Sequence, residues 1–224
     1  MSNTSLEKVT AFVTRGPIQT RELLVFRHPV GGVQLPAGTV EDGEPAQTAV
    51  LRETWEETGL EAVTIVGSIG VETSTLTGDL RGVLRRVILR EQPAYDSSAT
   101  AAFSAFLGLR RGLFVRQTGA LENGFAPVVY EEFDAVADGG ESLPARSISG
   151  WLEADALSAL VVRHFFHLTP IKPTPDAWTQ TAEEWEHRFE LYWVPLPANG
   201  TTVPGLIPSQ AAWVTEYADC LRQT

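Results

Sequence analysis

Three glutamates, Glu53, Glu56 and Glu57, stand at spacings that a helix turns into one face. At about 100° per residue they fall inside an arc of roughly 100° and within about a turn of each other. Like charges so placed cost a helix roughly 0.2–0.5 kcal/mol per pair, and Arg52 is placed to neutralise one of them, Glu56 four residues on. Mg2+ or Mn2+ would answer the remaining charge, because hard cations take carboxylate and carbonyl oxygens and retain waters shared with phosphates. Gly38 has no side chain to keep its backbone carbonyl from the same ion. Taken alone, Glu-x-x-Glu-Glu equally describes a solvated acidic helix face.

The elements that would position these acids can be read around them. Pro45 fits the first position of a helix, where its fixed φ is suitable and its missing N–H is not needed. Gly59 can close that helix in a left-handed cap, giving a helix over Pro45 to Thr58. Upstream, Val9 to Thr14 and Leu23 to Phe26 read as a strand pair about the turn Arg15-Gly16-Pro17, and Gly32 to Pro36 as a short strand. Downstream, Ala62 to Gly70, Val161 to Leu168 and Arg188 to Val194 read as strands, and Gln210 to Gln223 as a second helix. Residues 79–159 carry strand candidates of their own, Val83 to Leu89 and Pro127 to Phe133, and the turn-like Asp138-Gly139-Gly140. They read as an insertion within a domain formed by residues 1–78 and 160–224.

Composition sets the remaining bounds. A hydrophobic share of 43% over 224 residues supplies a sizeable core and excludes a mainly disordered chain. No run of about 18 apolar residues and no signal-like start is present, so neither a membrane span nor export is expected. The single cysteine, Cys220, leaves no internal disulfide, and a reducing, cytoplasmic setting is the expectation. A net charge of −11 argues against a nucleic-acid polymer as partner and makes an anionic substrate depend on a cation or a local basic pocket. Arg81, Arg85, Arg86 and Arg90 gather on what reads as a solvated strand edge.

Within GTVEDGEPAQTAVLRETWEETGL, Gly38, Glu44, Arg52, Glu53, Glu56, Glu57 and Gly59 match all seven fixed positions of G-x5-E-x7-R-E-U-x-E-E-x-G-U, U being a bulky apolar residue. At roughly one in twenty per position, such a match arises by chance about once in 10⁹ starting points. The segment resembles the Nudix box, over residues 38–60, with Thr54 departing from the usual apolar residue while keeping a methyl to pack. The resemblance implies an α/β fold of the α+β kind, an α/β/α sandwich with a mixed sheet, the box forming loop–helix–loop. It implies metal binding by Glu53, Glu56 and Glu57 with the Gly38 carbonyl, and orientation of these acids by Arg52 and Glu44 through charge-assisted hydrogen bonds. The implied activity is Mg2+- or Mn2+-dependent hydrolysis of a diphosphate linkage in a nucleoside diphosphate joined to another group. Metal-activated water attacks phosphorus in line, and a carboxylate, with Glu53 and Glu57 counted among the catalytic residues, takes its proton.

Outside the box the readings divide. Glu183, Glu184 and Glu186 are candidates for an auxiliary ligand or base, or are solvated loop acids. His28, His164 and His167, near strand ends, either touch substrate or pack with one hydrogen bond. Trp178 and Trp185, in a loop between late strands, either stack on a base or fill core or lid space. Companion signatures of three substrate subgroups are absent: a proline at Ser74 to Leu76, an early tyrosine (the first after the box is Tyr95), and an SQPWPFPxS run. The partner expected is therefore a small diphosphate-containing metabolite without further identity, and a homodimer stays open. Two other functions share the fold, an isopentenyl-diphosphate-isomerase-like enzyme and a non-catalytic Nudix ligand sensor. The absence of a cysteine near the box weighs against the first, and the intact acids and missing helix-turn-helix weigh against the second.

Overall fold

The computed structural model describes residues 5–29, 31–100, 108–133, 144–181, 188–198 and 201–223. Its elements are β1 (Leu6–Arg15), β2 (Glu22–His28), β3 (Gly32–Gln34), β4 (Ala37–Thr39), α1 (Ala46–Thr58), β5 (Val63–Thr75), β6 (Leu80–Val83), β7 (Phe114–Gln117), β8 (Phe125–Phe133), β9 (Pro144–Glu153), β10 (Leu157–Ser158), β11 (Leu160–Pro170), β12 (Ala177–Thr181), β13 (Arg188–Pro195) and α2 (Pro208–Gln223). The chain divides into two compact units, one built chiefly from described residues between Glu72 and Val162, the other from those of Lys8–Val71 and Arg163–Thr224.

The second unit owes its layers to the period-two alternation of strands. Val9, Ala11 and Val13 of β1, Leu24 and Phe26 of β2, and Phe166 and Leu168 of β11 form one core with Ala49 and Val50 of α1. Their neighbours Phe12, Leu23, Val25 and Phe165 point the other way and form a second core with Val214 and Leu221 of α2. With both faces covered, β1 is buried almost end to end, as a central strand must be. Each large side chain so buried contributes roughly 1.5–3 kcal/mol. Strand order is β12-β13-β2-β1-β11-β5, with β3 paired to β2 and β4 to β1. Antiparallel ladders join β1 to β2 and β2 to β13, and a parallel bridge links Val33 to Leu206. The fold is α+β, a mixed sheet between two helices, in keeping with the α/β/α sandwich expected.

Helix α1 starts one residue later than the sequence suggested. Pro45 is the capping residue, with φ −67° and an extended ψ of 142°, and its carbonyl accepts from Thr48 and Ala49. Gly59 closes the helix at φ 71°, its N–H donating to the Trp55 carbonyl at 2.7 Å.

The first unit has its own antiparallel sheet, β10-β6-β7-β8-β9, and its own core of Val83, Val87, Leu89, Leu109, Val115, Val128, Ile148 and Leu152 among others. The strand expected over Val83 to Leu89 is not formed: β6 ends at Val83. Beyond it Leu84 N–H bonds Ala156 and Val87 N–H bonds Leu109, so successive partners come from different segments and no ladder can run on. Nor is the arginine cluster one strand edge: Arg81 lies in β6, which sits between β10 and β7, while Arg85, Arg86 and Arg90 lie past its end. Arg85 pairs with Glu153 and Asp155, and Arg81 and Arg90 donate to backbone carbonyls. Among the described residues no helix is long and apolar enough to cross a membrane.

Candidate functional site

Strand β4 and helix α1 build the site together. Pairing with β1, in the register Lys8 to Thr39, Val9 to Gly38 and Thr10 to Ala37, holds β4 along the sheet. Packing of Ala49 and Val50 turns one face of α1 to the core, and the acids reach back to β4. Glu57 Oε2 accepts from Ala37 N–H at 2.8 Å, and Glu53 Oε1 accepts from Thr39 N–H at 3.0 Å. The two carboxylates thus straddle Gly38. A Cβ on Gly38 would lie 1.8 Å from the Glu53 carboxyl carbon. Side-chain room for Glu53 is therefore a reason for glycine here beyond access to its carbonyl. Thr54 is fully buried on the helix's inner side, its hydroxyl donating to the Val50 carbonyl, which satisfies the one polar atom it brings into the core.

Arg52 is the hub of the acids. Its Nε and Nη2 grip Glu44 in a fork at 3.0 and 2.8 Å, Nη2 also donates to the Thr39 carbonyl at 3.0 Å, and Nη1 reaches Glu53 at 2.9 Å and Glu56 at 3.2 Å. The expectation that it serves Glu56 alone is corrected: the planar five-donor group spreads over three acids, and the bidentate geometry favours Glu44. Glu44 also accepts from Glu41 N–H at 2.9 Å, which closes the loop before the helix.

Electrostatics divide the acids. The Arg52 guanidinium holds the Glu44 carboxyl below its ordinary range, and Glu44 in turn raises Arg52. Burial raises Glu53, with Arg52 opposing. Burial also pushes Glu57 well above the usual carboxylate range, opposed by the Ala37 amide and reinforced by the charges of Glu53 and Glu56. A deep carboxylate with like charges beside it fits a cation of high charge density, and the carboxylate and backbone oxygens on α1 and β4 are the donors such an ion takes. Glu56, its side chain 45% exposed, is turned to Arg52. Among the described residues no three His, Cys, Asp or Glu side chains converge closely enough to hold a metal ion in this arrangement. Glu53 and Glu57 are acids of α1 that reach β4, and Glu56 meets Arg52.

The other candidates are scattered. Glu183, Glu184 and Glu186, with Trp185 and Asp138-Gly139-Gly140, lie outside the described residues. His28 ends β2, where its Nδ1 accepts from Gly31 N–H at 2.9 Å and its ring packs on Phe189. His164 and His167 sit within β11 rather than at its ends. His167 is buried and hydrogen-bonded to the Thr14 hydroxyl at 2.7 Å, and burial lowers its pKa to about 4. Trp178 lies in strand β12, not in a loop; its indole N–H donates to the Thr58 carbonyl at 2.7 Å, satisfying an orphan acceptor at the end of α1. Sequence reading missed three residues that touch the box segment: Lys8, whose Nζ donates to the Thr39 hydroxyl at 2.8 Å, the Ala37 amide, and Gln210, whose Oε1 accepts from Leu35 N–H at 2.5 Å. Only Gln210 left a sequence signal, a polar residue on the stripe that continues with Val214, Ala218 and Leu221.

Fold and site define a sandwich protein with an arginine-organised acidic helix set against a glycine strand. Residues 7–97, fewer than half of the chain, match the family model of the NUDIX domain. The family is one of hydrolases that generally use divalent metals. No match was found among curated proteins.

Proposed function

We propose that the protein hydrolyses a diphosphate linkage in a nucleoside diphosphate joined to another group, with Mg2+ or Mn2+ as cofactor. The observation that carries this reading is the pair Glu53 and Glu57 clasping the amides on either side of Gly38 while Arg52 is locked by Glu44. Glu53, Glu56 and Glu57, with the Gly38 carbonyl, would hold the ion. When bound, a divalent cation supplies charge neutralisation for the leaving phosphate and acidifies water. Arg52 and Glu44 fix the rotamer of Glu53, and the ladder with β1 fixes the backbone that faces it. The partner is a small anionic metabolite, met in a cytoplasmic setting, and residues 79–159 are an insertion within the Nudix domain.

A screen of phosphate release from nucleotide sugars, dinucleotides and nucleoside triphosphates, with Mg2+ or Mn2+, tests the reading. Glu53→Gln and Glu57→Gln are expected to lose most of the activity found while keeping the fold, since both retain size and remove charge. Turnover within about threefold of wild type for both at saturating Mg2+ would sink the proposed site.

A further inference from the structure

We propose that Gln210, at the start of α2, is a positioning residue for the glycine strand of the diphosphate site; the assignment rests on the reading given above. The run Leu35 to Thr39 is held by side chains from two helices. Leu35 N–H goes to Gln210, Ala37 N–H to Glu57 and Thr39 N–H to Glu53, and Pro36 has no N–H to place. The chain just before Gln210 grips the preceding residues: Val33 N–H bonds the Gly205 carbonyl at 3.3 Å and Ile207 N–H bonds the Val33 carbonyl at 3.1 Å. Gln210 is only 5% exposed and occupies the first place on an otherwise apolar stripe. An apolar residue would pack there equally well, so the amide is explained by the acceptor it offers to Leu35. With that acceptor gone, a buried N–H is left without a partner two residues from the amide that Glu57 holds. The run then gains freedom to shift along β1, carrying Ala37 and Thr39 away from Glu57 and Glu53.

The test compares Gln210→Leu, which removes the acceptor, and Gln210→Asn, which draws it back by one methylene, with Gln210→Glu, which keeps it in reach, and with Val214→Ala, which thins the core that α2 shares with the Leu35 side chain but leaves the acceptor of Leu35 N–H in place. Three quantities are measured in each full-length protein: amide hydrogen exchange at Ala37 and Thr39, Mg2+ affinity by titration calorimetry, and melting temperature. Gln210→Leu and Gln210→Asn are expected to speed exchange at both amides by about tenfold or more and to weaken Mg2+ binding by about threefold or more. Gln210→Glu should restore both, and Val214→Ala should lower the melting temperature while leaving both near wild type. If Gln210→Leu and Gln210→Asn lose only melting temperature, as Val214→Ala does, Gln210 is ordinary packing and the proposal falls. Should wild type bind no Mg2+ and cleave no diphosphate, the functional reading fails, while the exchange measurement still decides whether Gln210 positions the strand. Gln210→Asn and Gln210→Glu retain a polar side chain, so the comparison stands even if Gln210→Leu does not fold.

Discussion

At Gly38 a single hydrogen atom separates a working geometry from a clash. Gly38→Ala would set a methyl 1.8 Å from the Glu53 carboxyl carbon, so the acid must swing off its rotamer and release Thr39 N–H and Arg52. We expect a stability loss of about 1–3 kcal/mol and at least a tenfold fall in any metal-dependent hydrolysis. In Glu53→Ala the same methyl has room, and a double-mutant cycle by chemical denaturation should show the Gly38→Ala cost largely vanishing; simple additivity would refute the clash. His167 gives a second residue-scale outcome. Its folded pKa, about 4, lies below the 6.5 of an unfolded histidine, so between these values the unfolded chain binds more protons. The stability His167 contributes is whole above about pH 6.5 and drains as pH falls toward 4, by roughly 1–3 kcal/mol. Melting curves across that range should be visibly flatter in His167→Gln, and an unchanged slope would show that other groups carry the acid sensitivity.

Among elements, α1 is the one whose two ends are set by single residues. Gly59 sits at φ 71°, and the Cβ of an alanine there would meet only the far end of Gln180, at 2.8 Å from its Oε1. Gly59→Ala should therefore cost about 1 kcal/mol, mainly backbone strain, measurable as a lower denaturation midpoint with an unchanged slope. A loss several times larger would mean that Gln180 cannot move aside. This helix was legible in the sequence because its signals are local: Pro45, Gly59 and the apolar Ala49 and Val50 all lie within one short window. Glu53, Glu56 and Glu57 could likewise be placed on one face from spacing alone. Partners far along the chain could not be read this way. Spacing offered Arg52 only Glu56, whereas the loop fold brings Glu44 into the fork. His167 and Trp178 were open between substrate and packing roles, and their hydrogen bonds to Thr14 and Thr58 depend on pairings made 153 and 120 residues away. The segment after Val83 alternates well enough to suggest a strand, but its hydrogen bonds are divided between Ala156 and Leu109, a division no local pattern records.

For the whole molecule the proposed cation is a folding ligand as well as a cofactor. Binding only to the folded state, Mg2+ at about a hundred times its dissociation constant should add about 2.7 kcal/mol, seen as a raised melting temperature over EDTA. Glu56→Gln/Glu57→Gln should respond little, and sodium chloride at matched ionic strength should not reproduce the wild-type gain. An equal response in both proteins would remove these glutamates from the site. The order of the larger sheet carries a further consequence, for synthesis. The β1–β2 pair is flanked by β13 and β11, both made much later, and the Leu35 amide waits for a side chain 175 residues downstream. At about 5–20 residues per second, a ribosome needs roughly 9–35 s to supply it. Throughout that interval the emerging chain carries two apolar strands with open edges and a finished acidic helix beside a strand whose approach, at Leu35, still lacks its acceptor. Slowed or aborted translation should thus yield aggregating fragments and no partially active ones, because the acceptor for the Leu35 amide is made long after the strand it serves.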